Sequence, residues 1–258
     1  MLKRSFLNRQ ETAVALLYKP RSASEAVALA RSAEADGADG IAIEISELPE
    51  EHRTLECFKS IISSVQLPFM FIDYRKDILY GDDDERRQSS LLRAADAGAD
   101  VIDVMGDLYA PSPRELTFDT TAVAKQMKLI DEIHAKGAHV LMSSHALKEF
   151  VPCEEVLEMM KTQSSRGADI LKVVTMVNTD EEFQESVRTL LLLRKELDKP
   201  FIYLAGGKFG RMVRYMGPKF GVAVEFGVHD YDERGIYAQP TIRSFRKVLD
   251  HLHWEYQP

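Results

Sequence analysis

Apolar residues gather in eight short runs, at 12–18, 39–45, 68–74, 100–105, 138–144, 169–175, 200–205 and 221–226. Each is short, rich in β-branched or aromatic residues and bounded by turn formers, which is the pattern of a buried strand. Between them apolar positions recur at helical spacing, most clearly over 24–36, 120–137 and 180–198, and a last helix is expected over 241–256. One phrase repeats at the joins: DGADGIAIEI (36–45), AGADVIDVMG (97–106), KGAHVLMSS (136–144) and RGADILKVVT (166–175). A glycine that ends a helix and is followed at once by a strand is the chemistry of an αβ connection. Eight strands alternating with helices predict a single (β/α)8 TIM barrel spanning 1–258, of class α/β. An open doubly wound sheet is the competing arrangement. The first βα turn lacks GxGxxG, so a dinucleotide site there has no support. GDDDERR (81–87) reads as a solvated loop or a helix start. The closing helix, with Trp254 and Tyr256, is either a subunit contact or barrel wall.

Composition narrows the function classes. The 258 residues are 45% hydrophobic and 29% charged with a net charge of −8, ordinary for a soluble globular domain. That acidity argues against a nucleic-acid partner, which would call for a basic surface. A small anionic substrate stays compatible, because a pocket can be positive on a negative protein. No apolar run approaches the roughly 18 residues of a membrane span, so no membrane association is expected. The N-terminus shows no sustained apolar segment before a small-residue cleavage site, and no secretory leader is expected. Cys57 and Cys153 form neither a disulfide framework nor a zinc motif. A reducing cytoplasm is the expected compartment, and a homodimer the base-rate expectation for assembly.

A barrel places its active site at the C-terminal ends of its strands, so polar residues there carry the argument. Lys172 stands inside the apolar run ADILKVVTM (168–176). An amine held away from water loses proton affinity and becomes a nucleophile near neutral pH, as in Schiff-base lysines. The alternative is an ion pair with a neighbouring carboxylate, or a strand end that reaches water. His145 follows the fifth strand and could serve as general acid and base, or simply tie down a loop. Adjacent strands bring His145 and Lys172 to the same end, and the pair is worth more than either member. Glu44 and Arg75, at the ends of strands two and three, form a structural ion pair or hold substrate hydroxyls. Asp103 on strand four is a neighbour of Lys172 or a core acid. After strand seven, GGKFGRMVR (206–214) is a candidate phosphate loop or a turn. Arg214 suits a carboxylate, and Gln239 is a further polar ligand.

These residues, in this order, resemble the type I 3-dehydroquinate dehydratases. SSHAL matches the family's Ser-x-His-Asp-Phe, GADILKVV its strand-six lysine segment, and GKFGRMVR its Gly-x-x-Ser-Arg loop. His145 and Lys172 lie 27 positions apart, the family spacing. The resemblance implies the same barrel and a Schiff-base dehydratase acting on a small-molecule carboxylate. Lys172 then forms an imine with a ring ketone, and His145 moves protons. Glu44 and Arg75 hold substrate hydroxyls, Arg214 binds the carboxylate, and Gln239 belongs to the last lid loop. No metal or organic cofactor is implied. Departures cluster around the substrate. Ser46 stands where the family has a second arginine, Val213 and Val222 where it has serines, and Gly235 where its lid has a serine. Leu79 aligns with the glutamate that supports the family's histidine, leaving Asp77 or nothing in that role. This pattern implies a divergent member acting on 3-dehydroquinate or a related cyclic hydroxy-keto acid. A class I aldolase-like lyase on a (phospho)sugar and a non-catalytic barrel binding a small carboxylate remain as alternatives.

Overall fold

The computed structural model describes residues 5–7, 11–75, 77–231 and 238–252. Gly235, Trp254 and Tyr256 lie outside the described residues. The strands are β1 (Ala13–Tyr18), β2 (Gly40–Glu44), β3 (Phe69–Ile72), β4 (Val101–Met105), β5 (His139–His145), β6 (Ile170–Met176), β7 (Phe201–Gly206) and β8 (Val224–Gly227). The α-helices that follow them in turn are α1 (Ala23–Ala35), α2 (Leu55–Ile62), α3 (Asp84–Asp96), α4 (Thr120–Ala135), α5 (Cys153–Ser165), α6 (Asp180–Glu196), α7 (Gly210–Met216) and α8 (Ile242–His251). All pairings are parallel, in the order β7-β6-β5-β4-β3-β2-β1-β8. Between β7 and β8 the ring closes through a single parallel bridge, Phe201 with Val222. This is the expected (β/α)8 barrel. Among the described residues, no helix is long and apolar enough to cross a membrane.

Local chemistry explains the joins. Gly37, Gly98, Gly137 and Gly167, the glycines of the repeated phrase, have φ between +80° and +101°, which a Cβ would resist. Helix starts carry side-chain caps: Asp119 accepts from the Ala122 amide, and Thr179 and Glu182 form a reciprocal capping box, each worth about 1 kcal/mol.

Strand alternation sorts side chains into two layers. Val14, Ile43, Phe71, Ile102, Met142 and Val173 face outward to the helices. Ala15, Ala42, Met70, Ile72, Val101, Leu141, Ile170 and Phe226 fill the barrel interior. The interior is apolar in its lower layers, and its next inward positions are polar. From Ala42, Ile72, Val101, Leu141 and Ile170, two residues further along each chain lie Glu44, Tyr74, Asp103, Ser143 and Lys172. The sequence therefore closes the bottom of the barrel with apolar side chains and opens its top with ionisable ones.

The acidic stretch 81–87 is the expected helix start and is exposed at Asp82, Asp83, Glu85 and Arg86, while Asp84 and Arg87 turn inward. Asp83 is the cap, and Arg87 is 0% and Asp84 only 7% exposed. Arg87 donates to Asp73 (3.1 Å) and Asp84 (3.2 Å), and Arg53 pairs with Asp77 (2.6 Å). This buried ionic cluster fastens the β3–α3 connection, so burial follows from pairing rather than from apolarity.

Candidate active site

Lys172 lies inside the barrel mouth and is 4% exposed. Its Nζ donates to the Tyr74 phenol oxygen at 2.6 Å, lies 3.5 Å from Asp103 Oδ2, and sits over the rings of Tyr74 and Phe226. Burial lowers its pKa from the ordinary lysine value, against the opposing pull of Asp103, Glu115 and Glu44. Asp103 is held by two hydroxyls: Tyr74 donates at 2.9 Å and Ser143 at 2.6 Å. Ser143, the register partner of Lys172 across β5 and β6, lies two positions past Leu141, the partner of Asp103 across β4 and β5. Of the two readings of Asp103, the neighbour of Lys172 is correct.

His145 ends β5 one inward step above Ser143. Its Nε2 is 3.3 Å from the Tyr74 oxygen, and the two rings meet edge-on with centroids 5.0 Å apart. Its Nδ1 is 2.5 Å from Glu115 Oε2. A carboxylate on Nδ1 assigns that nitrogen the proton and leaves the Nε2 lone pair facing the mouth. His145 and Lys172 are thus brought together, with one phenol between them.

Glu115 was not anticipated. The resemblance put Leu79 in place of the supporting glutamate and left Asp77 or nothing in that role. Asp77 instead accepts from the Leu79 and Tyr80 amides (2.7 and 2.8 Å) and pairs with Arg53, so it serves the ionic cluster. The support comes from the 106–119 segment between β4 and α4. Buried side chains hold that segment in place. Arg166 donates to the carbonyls of Gly106 and Thr117, and Gln126 donates to those of Gly106 and Leu108. Glu115 itself has φ +51°, a conformation costing a non-glycine residue about 1–3 kcal/mol. Its carbonyl accepts from Ser144 Oγ at 2.9 Å, and a Cβ on Gly106 would come within 2.6 Å of that carbonyl.

Of the other expected residues, Glu44 is in the mouth. It is buried, pairs with Lys19 Nζ at 2.8 Å, and accepts from Ser46 at 2.8 Å. Lys19, which follows β1, supplies a cation on the side where the family's second arginine is missing. Arg75 does not join the cluster. Met70 and Ile72 point inward, so Tyr74 does too, and Arg75 falls on the opposite face. There it donates to Asp107 (2.7 Å) and Asp84 (2.8 Å). Arg214 is buried on α7, its Nε donating to the Ala205 carbonyl at 3.2 Å and its Nη1 unpartnered. Beside it Glu225, fully buried, has a carboxyl pushed well above the usual range by desolvation. Among the described residues no hydrogen bond or ion pair links Arg214 to Lys172. The Gln239 side chain is buried with Oε1 unpartnered. The 206–210 loop is no phosphate cradle. The amides of Lys208, Phe209 and Gly210 are taken by Asn178 Oδ1, the Val177 carbonyl and the Gly207 carbonyl.

A barrel with a buried lysine facing a histidine can be compared with known proteins on more than its fold. The family model of type I 3-dehydroquinase matches residues 21–255. The chain belongs to the type I 3-dehydroquinase family. The 3-dehydroquinate dehydratase of Klebsiella pneumoniae is 29% identical over 125 residues, covering 48% of this chain and 49% of that protein. That of Alkaliphilus oremlandii is 32% identical over 126 residues, with the same coverage. The chain thus spans about half the length of the curated relatives it matches. Among solved structures, the type I 3-dehydroquinate dehydratase of Clostridium difficile with covalently modified comenic acid superposes with a TM-score of 0.79 at 17% identity. That match covers 97% of this chain and 96% of the other, and it shows the shared barrel.

Proposed function

We propose that this chain is a Schiff-base dehydratase that removes water from 3-dehydroquinate or a closely related cyclic hydroxy-keto acid. The observation that carries the reading is Lys172 Nζ, buried and of lowered pKa, facing His145 across a single phenol. Lys172 adds to the ring ketone and forms a protonated imine. That imine draws electrons from the adjacent carbon and acidifies its C–H bond. His145 Nε2, with Nδ1 fixed by Glu115, takes the proton and returns it to the departing hydroxyl. Hydrolysis then frees the enone and the lysine. Family membership supports a place in the shikimate route.

The altered surroundings support a related substrate as readily as 3-dehydroquinate itself. Arg75 is engaged elsewhere, Ser46 replaces a cation, and Lys19 adds one at Glu44. An aldolase-like reaction on a phosphorylated sugar has less support, since the 206–210 amides are internally satisfied. The test is enone absorbance with 3-dehydroquinate and a panel of cyclic hydroxy-keto acids. Turnover of one of them to an enone is expected. Cleavage of a C–C bond in a phosphorylated aldol substrate, with no enone from any acid in the panel, would overturn the reading.

A further inference from the structure

Tyr74 touches Lys172, Asp103 and His145 at once. Its oxygen is 2.6 Å from Lys172 Nζ, 2.9 Å from Asp103 Oδ2 and 3.3 Å from His145 Nε2. Among the described residues Lys172 and His145 share no direct hydrogen bond, and the phenol bridges them. Resting on the imine chemistry proposed above, we infer that Tyr74 is a catalytic residue of this chain, a two-way proton relay between Lys172 and His145 during imine formation.

The proton inventory closes without an outside acid. The phenol O–H, which at rest donates to Asp103 Oδ2, first turns to His145 Nε2; a proton on the Lys172 ammonium then passes to the phenol oxygen as the phenol passes its own to Nε2. Lys172 becomes a neutral amine and His145 an imidazolium. The amine lone pair forms the C–N bond, and the carbonyl π pair moves to oxygen. The imidazolium proton returns through the phenol to that oxygen. The surplus proton on nitrogen goes back by the same path to His145. It is then delivered to the carbinolamine hydroxyl, which leaves as water while the nitrogen pair forms C=N. The sum is an ammonium and a ketone giving a protonated imine and water, with His145 neutral again and ready to take the C–H proton.

The environment favours a relay over a free-standing base. Burial, with Asp103 and Glu44 nearby, holds the phenol well above its usual range. A phenolate is therefore costly, and the group moves protons only by gaining one as it loses one. Asp103 holds the phenol oxygen within reach of both partners, and is itself fixed by Ser143 at 2.6 Å.

The experiment is single-turnover imine trapping with 3-dehydroquinate and borohydride on four proteins: wild type, Tyr74→Phe, His145→Ala and the double variant. The phenylalanine ring keeps the packing against His145. Tyr74→Phe is expected to slow trapping about 100-fold, and the double variant to trap no more slowly than the slower single variant, since both changes cut one path. Additive losses, or Tyr74→Phe trapping at the wild-type rate, would overturn the relay while leaving the Schiff-base reading intact. No adduct on the wild type with 3-dehydroquinate or with any acid of the panel above would overturn that reading, and the relay with it. A measurement needing no variant is the wild-type trapping rate against the deuterium fraction of the solvent. A downward-bowed curve is expected from several protons in flight, and a straight line would contradict the relay.

Discussion

Glu115 Oε2 lies 2.5 Å from His145 Nδ1, and this pair joins the β4–α4 segment to the end of β5. A carboxylate on the far side of an imidazole sets its tautomer and stabilises the imidazolium. Glu115→Gln keeps the size and loses the charge. It is expected to lower kcat for enone formation about 10- to 100-fold with little change in KM. Steady-state kinetics check this, and an unchanged kcat would mean that His145 needs no such partner. Gly106→Ala should reproduce part of the loss, because its Cβ would push on the Glu115 carbonyl at 2.6 Å.

Arg75 gives the opposite expectation. Its guanidinium joins Asp107 and Asp84, which are 1% and 7% exposed. Removing it leaves two largely buried carboxylates without that cation. Arg75→Met should cost about 3–5 kcal/mol of stability in a urea titration while leaving KM within about 2-fold of the parent. A large rise in KM at full stability would place Arg75 on the substrate after all.

The ionic cluster behind β3 has its own pH signature. Burial and the neighbouring Asp77 push the Asp73 carboxyl up to about 8, against the lowering effect of Arg87 and Arg53. In the unfolded chain its value is the ordinary 3.8. The folded state therefore holds the proton more tightly. Its contribution is fully present below pH 3.8 and is lost as pH rises through 8, with a limiting slope of about 1.4 kcal/mol per unit. Asp73→Asn cannot titrate and should lack that slope between pH 4 and 8 in urea midpoints. The same slope in both proteins would show that Asp73 is ionised throughout.

How much of this was legible beforehand follows from the range of each signal. Strand positions came from runs of apolar residues and agree with the structure to within a residue or two, except β8, which starts at Val224 rather than 221. Lys172 and His145 were readable because a lysine in an apolar strand and a histidine just past one are locally odd. Arg75 lies in a structural ion pair, the first of its two readings, for a countable reason: alternation from Met70 and Ile72 makes Tyr74 the inward residue, and the parity was available in FMFIDYR. Glu115 was harder. It sits in a loop with φ +51°, and what aims it at His145 is a set of contacts from Arg166, Gln126 and Ser144, distant in sequence. The remaining signal was the length of the 106–119 connection, since a long βα loop in a compact barrel is a place to look for function.

The central claim is that Lys172 forms an imine. The direct measurement is to incubate the protein with 3-dehydroquinate, reduce with borohydride, and map the adduct by peptide mass, alongside Lys172→Met. The expected result is one reduced adduct on the peptide holding Lys172, formed below the pH range of an ordinary lysine because burial lowers the amine's pKa. The methionine variant should stay folded, carry no adduct and make no enone. An adduct on another lysine, such as Lys19, or full turnover by Lys172→Met, would contradict the account.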